Sequence, residues 1–291
     1  MFIAIVTLYI CADASGEQIR AYSPEEVVDT IPSHVAAACL QQSSLLQLLD
    51  KGEPCTLFDP FLHSTSLCLE AAAMISGTPP GSPAMEYPFT QFPTHDHMEY
   101  SSLVDDISVT PHEALSNVTI IGSSADVEVV ARAKREVEAF RRSLPRRVVA
   151  TEAPTMTSKY GTISEFLSDT VVASREGRAA ADDDDDAVAV PRLVIQRRGS
   201  LVEAGMNPPG NCMVVTHIPR RPRKENRDKV YQDFGRMILS NASKWRAVMV
   251  IVSEEGNFES QSGLEWNRIF SVSHGGQRFS FLQWSGKKRN K

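Results

Sequence analysis

The feature that most constrains this chain is a regular succession of short β-branched runs and helical stretches. Candidate strands lie at 3–10, 55–59, 118–122, 193–196, 213–216, 248–252, 270–273 and 279–284, and helical patterns at 34–49, 67–75, 127–142 and 228–240. The third helical stretch carries Val127, Val130, Val137 and Phe140 on one stripe with Arg and Lys opposite, and the fourth repeats the pattern with Val230, Phe234 and Ile238. Strands that alternate with helices predict crossover connections, hence a mostly parallel, doubly wound α/β sheet. The last two runs are joined only by His274-Gly275-Gly276-Gln277. That is too short for a crossover, so they predict an antiparallel hairpin.

Two segments break the rhythm. From about 143 to 189 the chain carries prolines, small polar residues and five consecutive aspartates at 182–186. Adjacent carboxylates repel one another and bury nothing, which predicts a solvated, disordered insertion rather than a metal site. The proline-rich stretch 78–93 reads instead as an ordered loop, because Met85, Tyr87, Phe89 and Phe92 give it something to bury. The expected organisation is an N-terminal strand and helix at 1–50 leading into one domain at 51–291, interrupted by the acidic insertion.

The apolar run 2–11 is followed by Ala12-Asp13-Ala14, which imitates a signal-peptide cleavage site, but the first basic residue is Arg20. The run is too short to span a bilayer, and its Ile, Val, Thr and Tyr favour a buried strand over a signal peptide. No membrane partner is expected. The five cysteines have no metal-ligand spacing and read as reduced, buried small hydrophobes. A net charge of −6 means that any contact with nucleic acid must use local basic patches.

In a doubly wound fold, ligands bind beyond the carboxyl ends of the central strands. There the sequence has Asp59-Pro60-Phe61-Leu62-His63-Ser64-Thr65-Ser66 followed by Leu69-Glu70-Ala71-Ala72. This resembles the first motif of the THUMP-associated rRNA guanine-N2 methyltransferases, roughly D-P-x-C-G-S-G-T then I-E-A-A. Pro79-Pro80-Gly81 and Tyr87-Pro88-Phe89 resemble that family's following loop, and Ile121-Gly122-Ser123-Ser124-Ala125-Asp126 its G-S-D-I-D. Val214-Val215-Thr216-His217-Ile218-Pro219 resembles V-V-T-N-P-P, and Val272-Ser273-His274-Gly275-Gly276 the terminal hairpin. The resemblance implies a class I, Rossmann-like methyltransferase fold: seven strands, mostly parallel, with a C-terminal antiparallel hairpin. The family's THUMP module has no counterpart in this sequence.

The same resemblance implies a degenerate site. Where the family has glycines that let backbone approach S-adenosylmethionine (SAM), this chain has His63 and Thr65. Where it has an acid for the ribose and an Asp for the adenine, this chain has Ser124 and Ser200. Asp126 is expected to cap the next helix. Asp59, His63, Thr65, Ser124 and Ser200 are therefore read as a vestigial cofactor pocket. His217, Ile218, Pro219 and Arg220 stand in the place of the N-P-P-aromatic tetrad that would hold a target base. His63 and His217 read as packed or surface histidines rather than general bases, since no nucleophile with a supporting acid stands beside them. Asn207-Pro208-Pro209-Gly210 spells part of the tetrad, but precedes its strand and reads as a turn.

These replacements predict no catalytic residue, no metal and no cofactor. The basic segment Arg220, Arg221, Arg223, Lys224 and Arg227 is the candidate RNA contact, with the tail Lys287-Lys288-Arg289-Lys291 as a weaker one. The expected function is that of an inactive methyltransferase-like protein, a structural subunit or assembly factor of a ribosome, mitochondrial in preference to cytoplasmic. It would contact rRNA and ribosomal or assembly proteins. Two alternatives stay open: a non-catalytic heterodimer partner of an active methyltransferase, and a divergent working RNA methyltransferase that uses SAM.

Overall fold

The computed structural model describes residues 31–43, 45–78, 90, 92–106, 112–144, 190–205, 208, 211–218, 227–253, 257–274 and 276–289. The element order is α1 (Ser33–Gln42), α2 (Leu45–Leu49), β1 (Cys55–Asp59), α3 (Ser66–Ile75), α4 (His97–Asp106), β2 (Val118–Ser124), α5 (Val127–Ser143) and β3 (Arg192–Arg197). It continues with α6 (Leu201–Ala204), β4 (Cys212–His217), α7 (Arg227–Ser240), β5 (Trp245–Ser253), α8 (Phe258–Gln261), β6 (Leu264–His274) and β7 (Gln277–Lys288).

The strands form one seven-stranded sheet in the order β3-β2-β1-β4-β5-β7-β6. β1 to β5 run parallel, and β7 pairs antiparallel with both β5 and β6. This is the doubly wound sheet and hairpin that the alternating pattern predicts. β1 and β4 lie at the centre and are buried along their whole length, which is why they read as continuous apolar runs. β6 and β7 extend beyond the apolar runs at 270–273 and 279–284, because the outer hairpin is only half covered and its ends are polar.

Each face of the sheet has its own core. On one face α1, α2, α3 and α5 contribute Val35, Leu45, Leu69 and Phe140 against Leu57, Ile120, Val215 and Ile251. On the other α6 and α7 contribute Leu201, Val230, Phe234 and Met237 against Phe58, Val214, Val250 and Leu282. The expected α7 stripe of Val230, Phe234 and Ile238 is buried as read. The α5 stripe needs one correction. Val130, Val137 and Phe140 are buried, but Val127 is 55% exposed, because the helical phase of the buried row runs through Val130, Ala133 and Val137 and leaves Val127 off its centre.

The expected helix 34–49 is broken into α1 and α2 near Ser43, whose hydroxyl donates to Leu40 O while accepting from Leu45 N at 3.2 Å. Asp126 caps α5 as expected, its carboxylate accepting from Glu128 N at 2.9 Å. Cys39, Cys55, Cys68 and Cys212 are free and buried. Burial pushes the Cys39 and Cys55 thiols up, to about 12 and about 11, so they are inert thiols rather than nucleophiles. Phe92, expected to be buried, is 42% exposed, and with Met98 and Leu103 of α4 it stays at the surface.

The expected strand 3–10, Cys11, the loop 79–89 and the acidic run 182–186 lie outside the described residues. Among the described residues no helix is long and apolar enough to cross a membrane.

Candidate functional site

The carboxyl ends of β1, β2, β3 and β4 place Asp59, Ser124, Arg198 and His217 along one rim of the sheet. Asp59 is the last residue of β1 and is 2% exposed. Among the described residues it accepts three hydrogen bonds, all on one carboxylate oxygen. They come from the amides of Phe61 at 3.1 Å and Leu62 at 3.0 Å, and from the hydroxyl of Thr216, one residue before the end of β4. Burial pushes the Asp59 carboxyl up to about 6, against the lowering effect of these bonds and of the nearby Arg198. Asp59 therefore winds its own loop into a tight turn and ties it to β4.

That turn is strained and full. Leu62 has φ +25°, in the region side chains avoid, and is wholly buried. Its methyl carbon lies 2.6 Å from where a Cβ on Gly122 would sit, so the leucine is lodged in the notch that this glycine leaves on β2. The Gly122 in the sequence thus admits a side chain of its own chain.

The next two residues are held by α5. The carbonyl of His63 accepts from Arg132 Nη2 at 2.7 Å, and the hydroxyl of Thr65 donates to Glu136, which pairs with Arg132 at 3.5 Å. Glu136 and Thr65 are both buried, and His63 is half-buried. The backbone at His63 and the side chain at Thr65, the two positions expected to be vestigial, are thus engaged by a helix that starts just past β2.

Arg198 is the residue that sequence reading passed over. It stands just past β3, is 8% exposed, and its amide donates to Ser124 O at 2.9 Å, continuing the β2–β3 ladder. Its Nε donates to Pro60 O at 2.9 Å, with the guanidinium 6.0 Å from the Phe61 ring centre. Since β2 lies between β3 and β1, this side chain runs across the carboxyl end of β2. Ser124 is buried there and its hydroxyl accepts from Asp126 N at 3.3 Å. Ser200, expected in the pocket, is exposed at the start of α6, where its carbonyl accepts from Ala204 N. No local signal marks Arg198 out; a charged residue in an Arg-Arg-Gly-Ser turn reads as solvated.

His217 ends β4, is 4% exposed, and stands edge-on to Phe279 with ring centres 6.1 Å apart. Among the described residues neither ring nitrogen has a hydrogen-bond partner. Burial, with His63 nearby, lowers its pKa to about 3, so it is neutral over the physiological range. It is a buried histidine packed against Phe279. Ile218 follows, buried on the opposite face. Pro219, Arg220, Arg221, Arg223 and Lys224 lie outside the described residues; Arg227 is exposed at the first position of α7. Among the described residues no group of three or more His, Cys, Asp or Glu is arranged to hold a metal ion.

No protein-family profile matches the chain. A stretch of 137 residues, 46% of the chain, is 28% identical to the Ribosomal RNA large subunit methyltransferase K/L of Pseudoalteromonas atlantica and covers 18% of that protein. Among solved structures, a candidate methyltransferase complexed with SAH superposes with a TM-score of 0.58 at 14% identity, covering 93% of this chain and 57% of that one. A candidate methylase of Clostridium difficile 630 gives 0.56 at 15% identity, covering 93% and 56%. The chain thus spans less than two thirds of the length of each of these three proteins. With five parallel strands, the inserted antiparallel β7 and helices on both faces, it has the class I methyltransferase fold, Rossmann-like, and is similar in sequence to a ribosomal RNA methyltransferase.

Proposed function

We propose that this chain is a catalytically inactive methyltransferase-like protein that serves as a structural subunit or assembly factor of a ribosome, mitochondrial in preference to cytoplasmic. The observation that carries the inactive part is the Arg198 side chain, which crosses the end of β2 to Pro60 while Leu62 fills the notch at Gly122. A nucleoside cofactor in a doubly wound fold lies in that crevice. The residues present do not fit one. Entry would require Arg198 to give up a buried hydrogen bond, a change that costs about 1.5–3 kcal/mol for a charged donor. There is also no carboxylate at Ser124 to bind a ribose.

The ribosomal part is supported by the similarity to a ribosomal RNA methyltransferase, and by the sequence cluster of Arg220, Arg221, Arg223 and Lys224 between β4 and α7 with Arg227 at the start of α7. Guanidinium groups pair well with phosphate oxygens. Calorimetric titration with SAM and SAH, together with sedimentation of a tagged protein from lysate, tests both halves. The expected result is no heat of binding and co-migration with a ribosomal particle. Saturable SAM binding at micromolar affinity would overturn the first half, and migration as a free protein the second.

A divergent working methyltransferase is the second reading. It is favoured by the 28% identity to an enzyme and by Asp59 at the head of the first motif. It predicts transfer of labelled methyl groups to RNA that Arg220→Ala reduces.

A further inference from the structure

The fold gathers a basic surface at the end of the sheet opposite to the rim just described. Leu264 pairs with Lys288, and Arg289 N donates to Gly263 O at 3.0 Å, so the end of β7 lies beside the start of β6. β7 also runs antiparallel to β5 from Ser253↔Phe279 to Met249↔Gln283. That direction carries the end of β7 towards the start of β5, where Lys244 and Arg246 stand. Lys244, Arg246, Lys287, Lys288 and Arg289 are all exposed, and none has an ion pair among the described residues. Arg246 is thrown outward by a bulge, since Cys212 pairs with Trp245 and Met213 with Ala247. Glu265 is the neighbouring acid on β6, exposed and outnumbered.

Trp266 and Trp284 are register partners across the hairpin, both half-buried and packed against the core of that face, with part of each ring left open beside these charges. The Trp284 indole donates to Lys287 O at 2.8 Å, which pins the basic tail against the ring. Cations spaced along a strand end, with a fixed indole beside them, suit a phosphate backbone whose bases can stack. In a chain with a net charge of −6, such a local excess is not the average surface.

We infer that Lys244, Arg246, Lys287, Lys288 and Arg289, with Trp284, form a binding surface for single-stranded RNA, separate from the segment after β4.

The test is fluorescence anisotropy of the full chain with labelled oligouridine over a salt series, with thermal unfolding of every variant as the folding control. The triple variant Lys287→Gln, Lys288→Gln, Arg289→Gln should bind roughly tenfold or more weakly, and its salt slope should fall by about 2, because each single-strand phosphate contact contributes about 0.7. Lys244→Gln with Arg246→Gln should weaken binding in the same sense. If both variants keep wild-type affinity and slope, the inference fails. If wild type ignores oligouridine but binds polyglutamate, the surface is one for acidic protein and the inference fails too. Loss of binding only on neutralising Arg220, Arg221, Arg223 and Lys224 sinks it while leaving the ribosomal reading standing. Oligouridine binding by this surface without co-sedimentation on ribosomes does the reverse.

Discussion

Arg198 and Pro60, 138 residues apart in the chain, are joined by a 2.9 Å hydrogen bond from a buried guanidinium to a backbone carbonyl. The bond ties the loop after β1 to the turn after β3, and brings a positive charge near the buried Asp59. Arg198→Ala should destabilise the protein by about 2 kcal/mol, and lower the unfolding temperature by roughly 4–8 °C. It should also push the Asp59 carboxyl further up. Differential scanning calorimetry on wild type and variant checks the first effect. An unchanged midpoint would mean that the guanidinium contributes nothing to the loop.

Asp59 gives the fold a pH signature. Its folded pKa of about 6 lies above the ordinary value of 3.8, so the folded state holds a proton that the unfolded chain has lost between those values. The stability it contributes is fully present below pH 3.8, and is lost as pH rises through about 6. Asp59→Asn should abolish that fall, a difference on the order of 2–3 kcal/mol. Urea denaturation at several pH values across the window would reveal it, and parallel curves for the two proteins would refute it.

His217 acts in the opposite sense. Its folded pKa of about 3 is depressed below the ordinary 6.5, so its contribution is present above pH 6.5 and is lost as pH falls toward 3. His217→Leu should remove this acid sensitivity. It should also gain about 1 kcal/mol at neutral pH, because it eliminates two buried nitrogens that have no partner among the described residues. Because Asp59 and His217 oppose each other between about pH 4 and 6, wild type should look flatter there than either single variant. A steeper wild-type profile would contradict the assignment.

Gly235 of α7 faces the carbonyl of Ser262 so closely that an added Cβ would lie 1.9 Å from that oxygen. Gly235→Ala therefore forces the helix off the turn after α8, and should cost about 3 kcal/mol or more. Gly52, with φ +67° and open space around it, should lose only about 1 kcal/mol on the same substitution. Comparison of the two midpoints in denaturant separates steric overlap from backbone preference. Equal losses would show that α7 can shift freely.

The fold was legible where a local pattern coincides with a buried surface. The run 55–59 is recovered residue for residue, because a central parallel strand must be apolar on both faces, and the two-glycine link at 275–276 left no topology but a hairpin. α4, α6 and α8 carry no such signal. The first is mostly exposed, and the other two are single turns that tertiary contacts hold. The site was legible as a location and as a set of departures at His63, Thr65 and Ser124. Its contents were not. The bond from Thr216 to Asp59 spans 157 positions and that from Thr65 to Glu136 spans 71, and burial of a charged side chain such as Arg198 depends on both ends of such pairs. Ser200 matches a motif position in sequence, whereas in the fold it is the exposed residue just before α6.

The placement of β7 sets an order of events for synthesis. It follows β6 in the chain yet lies between β5 and β6 in the sheet. A chain emerging from its amino end therefore exposes the open side of β5 until residues 277–288 arrive, with the 264–274 segment waiting unattached. The outermost strand is thus made before its only neighbour, and closure of the sheet is a late insertion rather than a simple addition at the rim. A nascent chain stalled short of that insertion would present a raw, apolar strand flank to chaperones and to other copies of itself.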